Sequence, residues 1–258
     1  MNDYFISYVI PCYNCDSTIF DTVMSIKESH ENAMNLQKKK SLWEKIQVVL
    51  VNDGSTDYTA DVVNEIGSEY PNMKILHLEK NSGKGAARNF GNSNADSDII
   101  AVLDSDDINV NHEESNITYD RSVFIRETFD KYKDLDVFYS SFVSIHTYNN
   151  SVYEKISEPI NINLLKTTGE WGIGHSTMAY RKKVILDNPY SESIYTDDWG
   201  MIWNLFTKNY KFINSKKIFV GYRITLECIE KESSPEKQKK IFEKKKKIMD
   251  EYFDKDKN

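Results

Sequence analysis

The chain is poor in cysteine, proline and glycine: 3, 5 and 10 of 258 residues. Three cysteines make no disulfide framework. Cys12 and Cys15 have C-x-x-C spacing, but no second metal-ligand pair lies nearby, so reduced thiols are expected. No Pro/Gly-rich linker and no internal repeat breaks the chain, which favours one continuous domain. No apolar run approaches the roughly 18 residues that cross a bilayer. The first residues, Met1-Asn2-Asp3-Tyr4, show no basic stretch leading into an apolar one, so no signal peptide and a cytoplasmic location are expected. Positive charge is also in deficit: 33 Lys and Arg stand against 40 Asp and Glu, a net charge of -7. That disfavours a dedicated nucleic-acid binder, which needs concentrated basic groups to neutralise phosphates.

Against these absences stands one dense feature. Ile99-Ile100-Ala101-Val102-Leu103 runs straight into Asp104-Ser105-Asp106-Asp107. An apolar run ending in carboxylates reads as a buried strand with negative charge at its carboxyl end. Carboxylates at close range raise one another's pKa unless a cation joins them. Hard oxygen ligands suit Mg²⁺ or Mn²⁺, which in turn hold phosphate oxygens. Open α/β sheets bind ligands at that edge.

The flanking sequence supports such a sheet. Strands are expected over Phe5 to Ile10, stopped by Pro11, and over Ile46 to Val51, Met73 to Leu78 and Ile99 to Asp104. Helices are expected from a cap at Asp16 or Ser17 to about Lys40, from Asp57 to Tyr70, and over Gly83 to Asn94. This alternation means βαβ units and a mainly parallel sheet, with Tyr13, Asp53, Asn81 and Asp104 on one edge. The second half is less regular. Ile117 to Phe129 reads as a helix, Val137 to Ile145 and Val152 to Ile156 as a hairpin, and Ser176 to Tyr180 as a strand. Lys182 to Leu186 and Asp197 to Lys208 read as helices, Phe212 to Ile213 and Ile218 to Tyr222 as short strands, and a last helix starts at Ser234-Pro235.

Four segments stand in a fixed order: Ile10-Pro11-Cys12-Tyr13-Asn14, Val51-Asn52-Asp53-Gly54-Ser55-Thr56-Asp57, Asn81-Ser82-Gly83-Lys84-Gly85-Ala86-Ala87-Arg88-Asn89 and Leu103-Asp104-Ser105-Asp106-Asp107. Together they resemble glycosyltransferase family 2, the inverting nucleotide-sugar transferases with the GT-A fold. A fifth segment, Tyr195-Thr196-Asp197-Asp198-Trp199, lies where that family carries an acidic pair ahead of a helix. The resemblance implies an α/β GT-A domain over residues 1–230, with a nucleotide-binding half (1–110) and an acceptor-side half (111–230). An amphipathic Lys-rich helix (231–258) follows.

It also implies roles. Pro11, Tyr13, Asn14, Asp53, Lys84, Arg88, Asp104 and Ser105 would bind the donor, a UDP-sugar by expectation. Tyr13 would stack on the base, Asp53 would accept the uracil imide N–H, and Lys84 and Arg88 would meet phosphate or base. Asp104 and Asp106 would hold Mn²⁺ or Mg²⁺, with Asp107 supporting them or capping a helix. Asp198 would be the general base, its pKa raised by Asp197. His175, Trp171, Asp197 and Trp199 are candidates for the acceptor side, which would take a glycan or lipid-linked glycan. The Gln-x-x-Arg-Trp motif of processive synthases is missing. Gly221-Tyr222-Arg223-Ile224-Thr225 matches the shorter Tyr-Arg element of non-processive members but lacks its following His. The expectation is a metal-dependent, non-processive hexosyltransferase. A non-catalytic nucleotide-sugar-binding module is the alternative. A sugar-phosphate nucleotidyltransferase is disfavoured, because Pro11-Cys12-Tyr13-Asn14 replaces the Gly-rich loop expected after its first strand. The last helix, with Ile241, Phe242, Ile248, Met249, Tyr252 and Phe253 among lysines, is open to two readings: packing on the domain, favoured here, or contact with an acidic membrane surface.

Overall fold

A computed structural model describes residues 4–191, 197–226 and 235–253. Its first part is the expected alternation: β1 (Ile6–Cys12), α1 (Ile19–Leu36), β2 (Ile46–Asp53), α2 (Thr59–Glu69), β3 (Met73–Leu78), α3 (Lys84–Asn94) and β4 (Ile99–Val102). These strands run parallel in the order β3-β2-β1-β4. β1 and β2 are buried along their whole length, the pattern of strands covered on both faces.

Their alternate residues serve two cores. Ile6, Tyr8 and Ile10 face α1, α2 and the later helix α4 (Arg121–Lys131). Val9, Val49 and Val51 face the other way, toward α3 and the C-terminal helices. At Gly91 a Cβ would lie 2.5 Å from Val9 Cγ1, so only glycine lets α3 sit this close to the sheet.

Beyond β4 the sheet becomes mixed. The remaining elements are β5 (Ile108–Asn109), β6 (His112–Glu114), β7 (Ile117–Tyr119), β8 (Val137–His146), β9 (Ser151–Lys155), α5 (Ile162–Thr168), β10 (Ala179–Arg181), α6 (Lys182–Asp187), α7 (Asp197–Thr207), β11 (Phe212–Ile224) and α8 (Pro235–Phe253). The order continues β4-β10-β8-β11-β5, with β9 also on β8. Among the described residues of this half, only the β8–β11 pair is parallel.

Several expectations change. Pro11 does not stop β1. It lies opposite Val51, past the last residue paired with β4, where a missing N–H is tolerated. The first helix starts after Thr18, without a side-chain cap from Asp16 or Ser17, and ends at Leu36 instead of Lys40. Ile117 to Tyr119 is a strand paired with β6, and the helix behind it is capped by Asp120 Oδ1, which accepts from the Val123 N–H. His175 to Thr177 forms a 3-10 turn before β10. Phe212 to Ile224 is one strand; register shifts between Ser215 and Val220 divide its sequence pattern in two.

The hairpin at Asn149-Asn150 is as expected, with Asn150 at φ 56°. Cys12 and Cys15 are free and buried, while Cys228 and Ser234 lie outside the described residues. α8 turns Ile248, Met249 and Tyr252 into the second core, and the buried Lys245 donates to Glu170 at 2.8 Å. Its apolar stripe is therefore used within the chain. No described helix is long and apolar enough to cross a membrane.

Candidate active site

The carboxyl ends of β1, β2 and β4 open on one edge, and side chains there lock the loops to one another. Asn14 takes a left-handed turn at φ 48°, which its short polar side chain tolerates. Its Oδ1 accepts from the Thr56 N–H at 2.9 Å, and its own N–H donates to Ser55 Oγ at 3.1 Å. Tyr13 beside it is 46% exposed, a free aromatic face on the rim. Asp53 is buried and pins the next loop: the Ser82 N–H donates to Oδ1 at 2.7 Å and the Gly83 N–H to Oδ2 at 2.9 Å. Each oxygen keeps a second lone pair for a ligand. Gly54, at φ +62°, lets the two loops cross. A Cβ there would lie 2.5 Å from the Asn81 nitrogen and the Lys80 carbonyl carbon.

The acidic end of β4 is the centre of the site. Carboxylate oxygens of Asp104, Asp106 and Asp107 all lie within 4.8 Å of one another. Asp104 receives Arg88 Nη2 at 2.5 Å and Lys84 Nζ at 3.3 Å, both from α3. Burial alone would raise its pKa, but Arg88 and Lys84 outweigh that and hold it well below the usual carboxylate range. Desolvation, then the Asp104 charge, pushes Asp106 up. The same causes, with Asp106 added, push Asp107 well up. Two crowded carboxyls with raised pKa values beside a third that stays ionised form a donor set that a hard divalent cation would complete.

Asp107 caps no helix, contrary to one expectation. It is buried, and its Oδ2 accepts from Ser176 Oγ at 2.6 Å; that same hydroxyl oxygen accepts the Asp104 N–H at 3.2 Å. The Ser105 carbonyl is held by Thr22 Oγ1 of α1 at 2.9 Å.

The wall opposite is assembled from the second half. Asp198 sits in the first turn of α7, where its Oδ1 accepts from the Trp199 N–H at 2.7 Å. Burial favours its neutral form, but Arg88, the Trp199 N–H and Lys84 outweigh this and lower its pKa. The expected effect of Asp197 on it falls outside the described residues. The Asp197 side chain, with Tyr195 and Thr196, lies outside the described residues. His175 is buried beside these groups, and burial, then Arg88, takes its pKa down to about 3. Asp104, Arg88, Lys84, His175 and Asp198 thus act on one another across one space.

Trp171 and Trp199 offer no open platform. Both are buried in an aromatic cluster, with Trp199 stacked on Trp203 at 5.3 Å and its Nε1–H bonded to the Gly169 carbonyl at 2.9 Å.

Other residues hold the site without having been singled out for it. Arg121 is buried and donates through Nη2 to the carbonyls of Val102 (2.9 Å) and Ser176 (2.6 Å), tying β4 to the loop before β10. Tyr222 Oη accepts from the Ser176 N–H at 2.7 Å, and Arg223 donates to the Asp106 carbonyl and to Thr22 Oγ1. The Tyr-Arg element pointed to the last two; a lone Arg in a helix gave no signal for Arg121.

A largely parallel sheet whose strand ends gather loops, carboxylates and a basic helix end is the GT-A arrangement. The family profile for glycosyl transferase family 2 matches residues 7–112. An Escherichia coli relative, the UDP-Glc:alpha-D-GlcNAc-diphosphoundecaprenol beta-1,3-glucosyltransferase WfaP, is 30% identical over 231 residues, covering 85% of this chain and 77% of the relative. A second with the same activity in its name, WfgD, also from Escherichia coli, is 27% identical over 89% of this chain and 81% of its own. Three other relatives match over 40–43% of this chain, which spans 40% of one and 30% of the other two. Among solved structures, Staphylococcus aureus TarS in complex with UDP aligns over 88% of this chain and 62% of its own, with a TM-score of 0.60 and 19% identity. The chain belongs to glycosyl transferase family 2 and has its fold.

Proposed function

We propose that the chain is a metal-dependent, inverting, non-processive hexosyltransferase. It moves a sugar from a UDP-sugar to a hydroxyl of a saccharide, a lipid-linked glycan being the acceptor class suggested by the two relatives that match over most of their length. The observation that carries this reading is the acidic end of β4, where carboxylate oxygens of Asp104, Asp106 and Asp107 lie within 4.8 Å of one another and Arg88, which also acts on Asp198, donates to Asp104.

In this reading Tyr13 stacks on the base, worth ~1–3 kcal/mol. Asp53 accepts the uracil imide proton on a free lone pair while it holds the loop before α3. Pro11, Asn14 and Ser105 line the donor path, and Lys84 and Arg88 meet the diphosphate. Asp104 and Asp106 would hold Mn²⁺ or Mg²⁺, which supplies charge to stabilise the departing diphosphate. Asp198 takes the proton of the attacking hydroxyl as it reaches the anomeric carbon from the face opposite UDP. One displacement inverts that carbon, so no second carboxylate nucleophile is needed. Residues 1–230 form the catalytic domain and α8 braces it.

Calorimetry tests the donor site. UDP should bind more tightly with Mn²⁺ than with chelator and more tightly than GDP, and Asp106→Ala should remove the metal-dependent part. Equal UDP affinity of wild type and variant across a metal titration, or tighter GDP binding, would overturn it.

A further inference from the structure

β8 outruns β10, which pairs with Val137 and Phe138 alone, and folds back as the β8–β9 hairpin. Register places Tyr222 of β11, Ser144 of β8 and Tyr153 of β9 in one row across three neighbouring strands. Residues paired in this way share a face of the sheet. Tyr222 is the end of the row nearest the chemistry. Its hydroxyl accepts the Ser176 N–H at 2.7 Å, and Ser176 Oγ donates to Asp107 at 2.6 Å. Tyr153 is the far end, two strand spacings or ~10 Å from Tyr222. It is 60% exposed.

Ring contacts agree with the shared face. Phe142 lies 4.5 Å from Tyr222, and His146 lies 5.2 Å from Tyr153 with the rings at 83°. Gly174, just before His175, rests on the same face: a Cβ there would be 2.8 Å from Phe142 and 2.9 Å from Tyr222 Oη. At the turn, Tyr148 is also exposed, and its hydroxyl lies 3.0 Å from His146 Nδ1. Backbone bonds brace this end. The Thr147 N–H donates to the Ile224 carbonyl at 3.0 Å, and the Ser151 N–H donates to Asn149 Oδ1 at 3.0 Å.

Neighbouring exposed aromatics on a braced support, continuous with a site, mark a contact surface. Composition narrows what it contacts. Of the 15 residues from Phe142 to Ile156, Glu154 and Lys155 are the only acid and base, and Ser, Thr, Tyr and Asn supply seven. That gives no cationic patch for an anionic membrane. Tyrosine among small hydroxyl and amide residues instead suits an uncharged polar partner, with rigid amphipathic rings beside adaptable hydrogen-bonding groups. A pyranose has the matching duality: C–H bonds on its faces and hydroxyls around its rim.

We propose that Tyr153, with His146 and Tyr148, forms a saccharide subsite that takes the acceptor unit next to the one receiving the transfer. This rests on the transferase reading above. The two strand spacings from Tyr222 set the platform at a later unit of the acceptor and not at the sugar beside the carboxylates.

The test uses the whole chain with Mg²⁺, UDP and ring-¹³C-labelled tyrosine, the Tyr153 signals being assigned from their loss in Tyr153→Ala. The probes are N,N′-diacetylchitobiose, cellobiose and maltose, with methyl GlcNAc and methyl glucose glycosides as their single units. At least one disaccharide should shift the Tyr153 signals and bind more tightly than its single unit. Tyr153→Ala should weaken that disaccharide roughly 3–10-fold, the range for one aromatic contact, and Tyr153→Phe should restore it. UDP affinity should stay unchanged in both variants. No Tyr153 shift with any disaccharide, or equal affinity for disaccharide and single unit, overturns the proposal. So does a shift that only anionic phospholipid vesicles produce, or a dimer in sedimentation that Tyr153→Ala dissociates, which would make the hairpin a contact between copies of the chain. A chain that binds no UDP contradicts the donor reading instead, and the same titration without nucleotide still decides the saccharide site.

Discussion

The two walls of the site are built on different principles. The donor wall hangs from adjacent parallel strands, and its loops are tied by bonds between side chain and backbone: Asn14 to Thr56, Asp53 to Ser82 and Gly83. The opposite wall has no such common base. Ser176 comes from the turn before β10, Tyr222 and Arg223 from β11, and Asp198 from α7. The first wall is rigid because of secondary structure. The second is rigid because of tertiary packing, above all the aromatic cluster behind Trp199 and the brace of Lys245 on Glu170.

This contrast breaks most sharply at Asp198. Asp198→Asn keeps the shape of the second wall but cannot accept a proton. Transfer should fall by roughly 10²–10⁴-fold, the usual contribution of a general base, while UDP affinity stays at the wild-type value. Loss of UDP binding in this variant would show that the walls are not separable. Arg121 is the joint between them. Arg121→Met would leave the Val102 and Ser176 carbonyls buried without their donor, and denaturant melts should show a loss of roughly 2–3 kcal/mol. A neutral result would mean that water replaces the guanidinium.

A smaller effect is expected on the donor wall. Gly54→Ala strains a left-handed residue and pushes on the Lys80–Asn81 backbone, costing roughly 1–3 kcal/mol and weakening UDP binding. Unchanged UDP affinity would detach that loop from the site. The mildest test is pH. Because the Asp198 pKa is lowered, the carboxylate is ionised through the neutral range and is lost only as pH falls through that depressed value. Transfer by wild type should therefore be flat above about pH 5, below which ordinary carboxylates protonate. A rising limb near neutrality would show that the bound substrates raise the pKa of Asp198, or that another group is the base.

The same contrast explains what was legible in the sequence. β3 and the start of β4 fall where the apolar pattern puts them, and the Asp104 to Asp107 cluster was visible as a motif because its residues are neighbours in the chain. Asp53 showed its place, but not its double duty as a loop anchor, since the Ser82 and Gly83 amides approach from 29 and 30 residues away. Arg121 carried no signal, because it acts through partners distant in sequence. Trp171 and Trp199 misled for a related reason. An aromatic residue has the same one-letter pattern whether it faces ligand or core, and here the core takes both.

The measurement that bears most directly on the central claim is release of UDP from UDP-glucose and UDP-GlcNAc. Mn²⁺ should support release from at least one of them. Chelator should abolish it in wild type, and Asp106→Ala should abolish it with metal present, because Asp106 belongs to the carboxylate cluster at the end of β4. Undiminished release in chelator would contradict the metal site. Tight UDP binding with no release from any UDP-sugar, with or without an acceptor saccharide, would contradict catalysis itself and leave a nucleotide-sugar-binding module on the same fold.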